Sequence, residues 1–289
     1  MNGSPINRKS YYVPVLRQNT AIFAVAFWAA DGVVHADEIR LGGTGAAHGI
    51  LQILGEAYST ENPGDAVEIV SGLGSSGGIA AVSEGALTLA VSSRPLRQNE
   101  KAKGLDGIPF IDTPFMFVTS NVANLTISNA DVVAIHDGTL RKWPNNKGIK
   151  PILRPRSDTA SALLIESFSG MQAAMDKLRQ RPEVPVAATD QDNLQAAEEI
   201  TASFTAMTLL QFLTERPRLH AIMLDGVQPS VENMQAGKYT LRTNMQLITS
   251  AQPSAVARRF IAFTRTPQAQ QLIRENGGVP ISAQSAAVQ

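Results

Sequence analysis

Three observations predict an α/β fold for this sequence. Strand-like apolar runs alternate with amphipathic helix-like runs, the order that gives parallel strands joined by right-handed crossover helices. Two glycine-rich segments, Gly42-Gly43-Thr44-Gly45-Ala46 and Gly72-Leu73-Gly74-Ser75-Ser76-Gly77-Gly78, stand at strand-to-helix junctions. The 289 residues contain no cysteine and are 44% hydrophobic, so an ordinary apolar core has to hold the fold without disulfides.

The first segment reads as an export signal. Arg8, Lys9 and Arg17 precede the apolar run from Ala21 to Ala30, and Val34-His35-Ala36 offers the small residues a signal peptidase reads, with cleavage before Asp37. The run is about half the ~20 residues of a membrane span, which suits a cleaved signal over residues 1–36 rather than an anchor. The expected mature chain is a soluble exported protein of about 250 residues, enough for one large domain or two lobes.

Glu38-Ile39-Arg40-Leu41 then forms a short, half-apolar strand. Ala47, Ile50, Leu51, Leu54 and Tyr58 recur at helical spacing until Pro63-Gly64 stops the pattern. Ala66 to Val70 is a second strand, Ile79 to Val82 a short helix, and Ala86 to Val91 a third strand closed by Ser92-Ser93-Arg94-Pro95. In the middle of the chain Phe115 to Thr119 is strand-like and Asn129 to Ile135 helical, and the strand Pro151-Ile152-Leu153-Arg154 ends in Pro155-Arg156-Ser157-Asp158-Thr159. Ala162, Leu163, Ile165 and Phe168, then Met171 to Leu178, then Asp192 to Glu199, read as helices. Met245 to Thr249 is a late strand, followed by amphipathic helices over Ala255 to Phe263 and Gln268 to Glu275. Ile281 to Gln289 is small and polar and reads as a disordered tail.

Charge and composition exclude several functions. With 25 Lys and Arg against 25 Asp and Glu, the chain has no general attraction to nucleic acid or to an anionic membrane. His35, His48, His136 and His220 are far apart and fall in neither an HxxxH nor an HExxH spacing, so neither a metal nor a cofactor is expected.

The glycine-rich junctions admit three readings. Gly74-Ser75-Ser76-Gly77-Gly78 fits GxSxG, which would make Ser76 a nucleophile with His220 as its base, although the Arg-Pro-rich surroundings of His220 do not resemble a base-presenting loop. Gly43-Thr44-Gly45 after a strand suggests a dinucleotide fingerprint, but His48 stands where its third glycine belongs. The third reading is anion capture: free backbone N–H groups at helix starts, with the hydroxyls of Thr44, Ser75 and Ser76 beside them, hold negative charge. One such junction is commonly only turn and capping chemistry, but two in tandem and a third at Arg154 to Thr159 point to a site.

The order of these segments resembles a known family. Gly43-Thr44-Gly45 before a long helix, then Gly74-Ser75-Ser76-Gly77-Gly78-Ile79, then Leu89 to Leu96, is similar to the PstS-like phosphate-binding proteins of the periplasmic binding protein superfamily. Val133 to Trp143 resembles that family's IFxGxIxxW segment. Ile152 to Thr159 resembles its Arg…Ser-Gly-Thr segment, and Phe260 to Ile281 its closing helices and Gly-x-x-Pro ending. The resemblance implies a two-lobed α/β protein with mostly parallel sheets and the ligand in the cleft between lobes. It implies crossings near Thr113 to Phe117 and Tyr239 to Met245, with residues 37–115 and 243–289 in one lobe and 116–242 in the other. The site residues it implies are Thr44, Gly45, Ser75, Ser76 and Gly77, Ser93 and Arg94, and Arg154, Arg156, Ser157, Asp158 and Thr159, with Arg154 and Arg156 alternatives for one ligand arginine.

Two departures from the pattern bear on the ligand. The family's aspartate in Ser-Asp-x-Pro-Leu, which accepts the proton of hydrogen phosphate, is replaced by Ser93 followed by Arg94; Asp158 stands where the family has glycine. Asp158 would cap the following helix from the solvent side, pair with Arg154 or Arg156, or replace the missing acceptor. The expected function is periplasmic capture of a small oxyanion, phosphate or a relative, by a monomer that serves an ABC-type permease. The alternative is a module of the same fold that reports anion occupancy to a membrane sensor, and catalysis is not expected.

Overall fold

The computed structural model of the chain describes Met1 and residues 37–281. The expected export signal, apart from Met1, and residues 282–289 of the expected tail lie outside the described residues. β1 (Asp37–Gly43) leads through a 3-10 turn, Gly45–Ala47, into α1 (His48–Glu61). α1 buries Ile50, Leu51, Leu54 and Tyr58, the stripe marked by the helical spacing in the sequence. β2 (Asp65–Ile69), α2 (Gly74–Ser83) and β3 (Leu89–Ser92) follow, and β1 lies parallel to both β2 and β3. α2 starts at Gly74 rather than Ile79, so the Gly/Ser segment is itself the first part of the helix. Tertiary contact overrides propensity here: a Cβ on Gly78 would stand 2.5 Å from Gly43 Cα, so only glycine lets α2 lie directly on the end of β1.

α3 (Gln98–Lys101) is one turn, and β4 (Leu105–Thr119) then runs from one hydrophobic core into another. Phe110 and Ile111 belong to the first core, Phe115 to Val118 to the second. Only Phe115 to Thr119 shows strand character in the sequence, because Gly107, Pro109 and Pro114 interrupt the pattern upstream. The strand accommodates Pro109 at an irregularity, where the register against the partner strand shifts between Met245 and Gln246.

The second core is built by β5 (Thr126–Ile127), α4 (Asn129–Asp137), β6 (Lys150–Pro151), α5 (Thr159–Ser167), α6 (Met171–Leu178), α7 (Asp190–Glu199) and β7 (Ser203–Thr208). α8 (Leu209–Glu215), β8 (His220–Ala221), β9 (Met223–Leu224) and α9 (Val231–Gln235) complete the middle of the chain. Leu210 of α8 packs in the first core rather than the second, so α8 bridges the two. β10 (Arg242–Ser250), α10 (Ala255–Phe263), α11 (Pro267–Glu275) and β11 (Val279–Pro280) return to the first core. There Tyr58 of α1 meets Phe260 and Phe263 of α10 edge-on, at centroid distances of 5.2 and 5.4 Å.

The main sheet runs β2-β1-β3-β10-β4-β7-β6. The β1, β2 and β3 pairings and the β6–β7 pairing are parallel; the long strands β10 and β4 pair antiparallel with each other and with their other neighbours. The molecule is thus a two-lobed α/β protein: β4 leaves the first core for the second between Ile111 and Phe115, Leu210 of α8 reaches back into the first, and the chain returns there between Leu241 and Met245.

Candidate functional site

Four helix starts line one cavity of about 200 Å³. Gly45 opens the turn into α1, Gly72 to Ser76 run into α2, Arg154, Pro155 and Ser157 to Thr159 precede and begin α5, and Ala188 to Gln191 begin α7. Each start presents N–H groups without intrahelical partners and the positive end of a helix dipole, so their convergence favours negative charge.

On the first-lobe wall the small hydroxyls hold one another. Ser93 donates its backbone N–H to Ser75 Oγ at 3.0 Å and its Oγ–H to Thr44 Oγ1 at 3.1 Å. Thr44 and Ser75 are buried, 5% and 6% exposed, which fixes both side chains. Thr44 and Ser93 border a smaller space of about 20 Å³ shared with Thr159 and Asp190. The turn itself depends on Gly43: its φ is +111°, and a Cβ there would come within 2.1 Å of Val91 O.

Arg94 faces Glu100 rather than the cavity. Its two terminal nitrogens donate to Glu100 Oε2 and Oε1 at 2.8 and 2.7 Å, and Nη2 also donates to Ser76 Oγ at 3.1 Å. The hydrogen bond from Arg94 holds the Glu100 carboxyl down at about 2, with burial opposing it. Arg94 therefore orients Ser76, and Gly77 lies inside α2 away from the cavity lining.

The structure separates the two candidate arginines. Arg156 is 62% exposed and pairs with Asp176 on α6. Arg154 is 7% exposed, donates Nη1–H to Ala187 O at 3.0 Å, and donates Nη2–H to Asp158 Oδ2 and Asp190 Oδ1 at 2.8 and 3.2 Å. Its Nε is buried without a hydrogen-bond partner. Asp158 caps α5, accepting from Ala160 N at 2.9 Å through its other oxygen, and does so from the cavity side. The cavity thus brings together Gly45, Ser75, Ser76, Arg154, Ser157, Asp158 and Thr159 of the expected residues, with Thr44 and Ser93 in the adjoining space.

Sequence reasoning missed Asp190 and Gln191. Asp190 Oδ2 accepts from Ala46 N at 3.0 Å, and Gln191 Nε2 donates to Gly45 O at 3.0 Å and to Glu215 Oε1 at 3.2 Å, tying the start of α7 to the opposite wall. Burial pushes the Asp190 carboxyl up; Arg154 opposes this, Asp158 adds to it, and the amides of Ala46 and Gly45 pull it down. Glu215 is likewise raised by burial, against hydrogen bonds from Gln191 and Gln211. The signal for this fourth junction was present: Thr189 and Asp192 form a capping box, the sequence mark of a helix start.

Ser76 Oγ accepts from Arg94, while His220 lies on β8 paired with Thr119. Among the described residues no cluster of three His, Cys, Asp or Glu could hold a metal ion, and no helix is long and apolar enough to cross a membrane.

A family model described as PBP superfamily domain matches residues 31–267. The chain belongs to that family. Within the PBP superfamily it is similar to the phosphate-binding protein PstS of Bacillus subtilis, 22% identical over 256 residues that cover 84% of this chain and 81% of that protein. A Clostridium perfringens protein solved with bound phosphate shares the fold at a TM-score of 0.73 and 16% identity, covering 85% of this chain and 100% of its own. So does an ABC-type phosphate transport receptor from Vibrio cholerae, at a TM-score of 0.57 and 19% identity, covering 84% of this chain and 99% of that one. These likenesses make the chain a PstS-like member of the PBP superfamily.

Proposed function

We propose that the protein captures a small oxyanion, phosphate or a related tetrahedral anion, in this cavity and delivers it to an ABC-type permease. One observation carries the reading: a guanidinium only 7% exposed, Arg154, stands among helix starts from both lobes around a cavity of about 200 Å³. Such a site supplies fixed, short donors from several directions, which is what a tetrahedral oxyanion requires. The contacts are Thr44, Gly45, Ser75, Ser76 and Ser93 from one lobe and Arg154, Ser157, Asp158 and Thr159 from the other. The lobes, residues 37–115 with 243–289 and residues 116–242, act as jaws whose closed form is favoured because only there do all donors reach the anion.

The descriptions of the relatives support the rest of the reading: a phosphate-binding protein, a protein with bound phosphate and an ABC-type phosphate transport receptor. Export to the periplasm as a monomer, and capture rather than catalysis, go with that role. Calorimetry of the protein against phosphate, arsenate, sulfate and molybdate tests it. At least one anion should bind tightly, and Arg154→Ala should weaken that binding by about 2–5 kcal/mol. Failure of all four to bind would overturn the reading.

A further inference from the structure

The cavity already contains an anion that belongs to the chain. Asp190 Oδ2 accepts from the amide of Ala46, the helix start of one lobe, while its Oδ1 accepts from Arg154 Nη2 of the other. One carboxylate therefore engages both kinds of donor that an oxyanion would use. Neighbouring contacts hold it there: Gln191 Nε2 donates to Gly45 O and Glu215 Oε1, and Gln211 Nε2 donates to Asp190 O at 3.4 Å. Gly45 permits the approach, since a Cβ on it would stand 2.8 Å from Asp190 Oδ2 and 2.5 Å from Gln191 Oε1.

We propose that Asp190 is a tethered competitor for the cargo: its carboxylate latches the start of α7 onto the Gly45–Ala47 turn, and an oxyanion gains those amides and Arg154 by displacing it. The inference rests on the oxyanion reading of the cavity. Charge balance supplies the reason. Arg154 faces two carboxylates, Asp158 and Asp190, so an anion added beside both would put a third negative group around one guanidinium. Displacing Asp190 removes that repulsion and frees a helix-start amide in the same step. Asp158 cannot yield as readily, because its other oxygen caps α5.

The latch is sensitive to acid. The charged groups acting on Asp190 are Arg154, which precedes α5, Asp158 at the α5 cap and Glu215 on α8; the first strengthens the carboxylate's hold and the two like charges weaken it. Burial raises the Asp190 carboxyl, so it takes up a proton at higher pH than a free aspartate does. Once neutral it competes poorly for N–H donors, and the cargo gains as pH falls.

Two measurements, made on the whole wild-type protein and on its Asp190→Ala and Asp190→Asn variants, test the latch. Calorimetry with sulfate, which stays a dianion between about pH 5 and pH 8, should show wild-type affinity rising as pH falls. At neutral pH both variants should bind phosphate and sulfate roughly tenfold tighter, with the pH dependence for sulfate removed. Unchanged affinity, or phosphate binding weakened by roughly tenfold, would overturn the latch and make Asp190 a bystander or a direct cargo contact. Asp190→Asn keeps the shape of the side chain should the alanine variant misfold. Amide hydrogen exchange at Ala46, read without added anion, separates the two levels of the argument. Faster exchange in both variants together with no anion binding by any form would sink the oxyanion reading and keep the latch. Unaltered exchange would sink the latch itself.

Discussion

Replacing Arg154 with alanine separates this cavity from a generic surface cluster. The guanidinium is 7% exposed and faces the carboxylates of Asp158 and Asp190, which are 18% and 19% exposed. Deleting one partner of a buried pair commonly costs ~3–5 kcal/mol, because the remaining charge is left uncompensated. Here each carboxylate keeps an amide donor, Ala160 N or Ala46 N, so the loss should fall at the lower end, about 3 kcal/mol. For a protein of this size that lowers Tm by about 6–12 °C, at ~2–4 °C per kcal/mol. The sign with pH follows from Asp190. Its carboxyl is already raised by burial, and losing Arg154 raises it further, so the penalty is present where Asp190 is ionised and shrinks as pH falls through its pKa. Thermal unfolding by circular dichroism at about pH 8 and about pH 5, with calorimetry against phosphate alongside, reads both effects. Arg156→Ala is the control, since its exposed pair with Asp176 contributes little to stability and stands outside the cavity lining. Equal losses in the two variants, or an Arg154→Ala protein as stable as wild type at both pH values, would refute the reasoning.

Gly78→Ala should lower Tm and weaken anion binding together, because the new Cβ meets Gly43 Cα at 2.5 Å and pushes α2, with Ser75 and Ser76, off β1; overpacking of this kind costs about 1–3 kcal/mol. Retained Tm and affinity in that variant would show that α2 can sit elsewhere. Glu100, held down to about 2 by Arg94, contributes stability that is present above its ordinary value of 4.5 and lost as pH falls toward about 2, so Glu100→Gln should flatten the acid side of the stability curve in a pH series of thermal melts. Leu54→Ala, at a fully buried position of α1, should cost about 2–5 kcal/mol in urea unfolding without changing which anion binds.

Much of the first lobe was legible in the chain because local periodicity and global burial agree there. The stripe of Ile50, Leu51, Leu54 and Tyr58 is the face α1 buries, and the amphipathic patterns at Ala255 to Phe263 and Gln268 to Glu275 are α10 and α11. β4 was legible only in its last third, since prolines and a glycine hide a strand whose pairing comes from β10, far along the chain. α2 was under-read at its start for the opposite reason: Gly74 to Gly78 are poor helix formers, and close packing on β1 decides their conformation.

The amino-acid sequence by itself determined the α/β class and the glycine-rich helix starts. These are local properties: N–H groups without partners, hydroxyl side chains and charge balance can be read in a short window. Tertiary structure alone decided which charges meet. It buried Arg154 and left Arg156 in solvent, turned Arg94 onto Glu100, and carried Asp190 onto the amide of Ala46, a contact across 144 positions in the chain. Such pairings depend on where two lobes place their surfaces, and no periodicity within either segment records it.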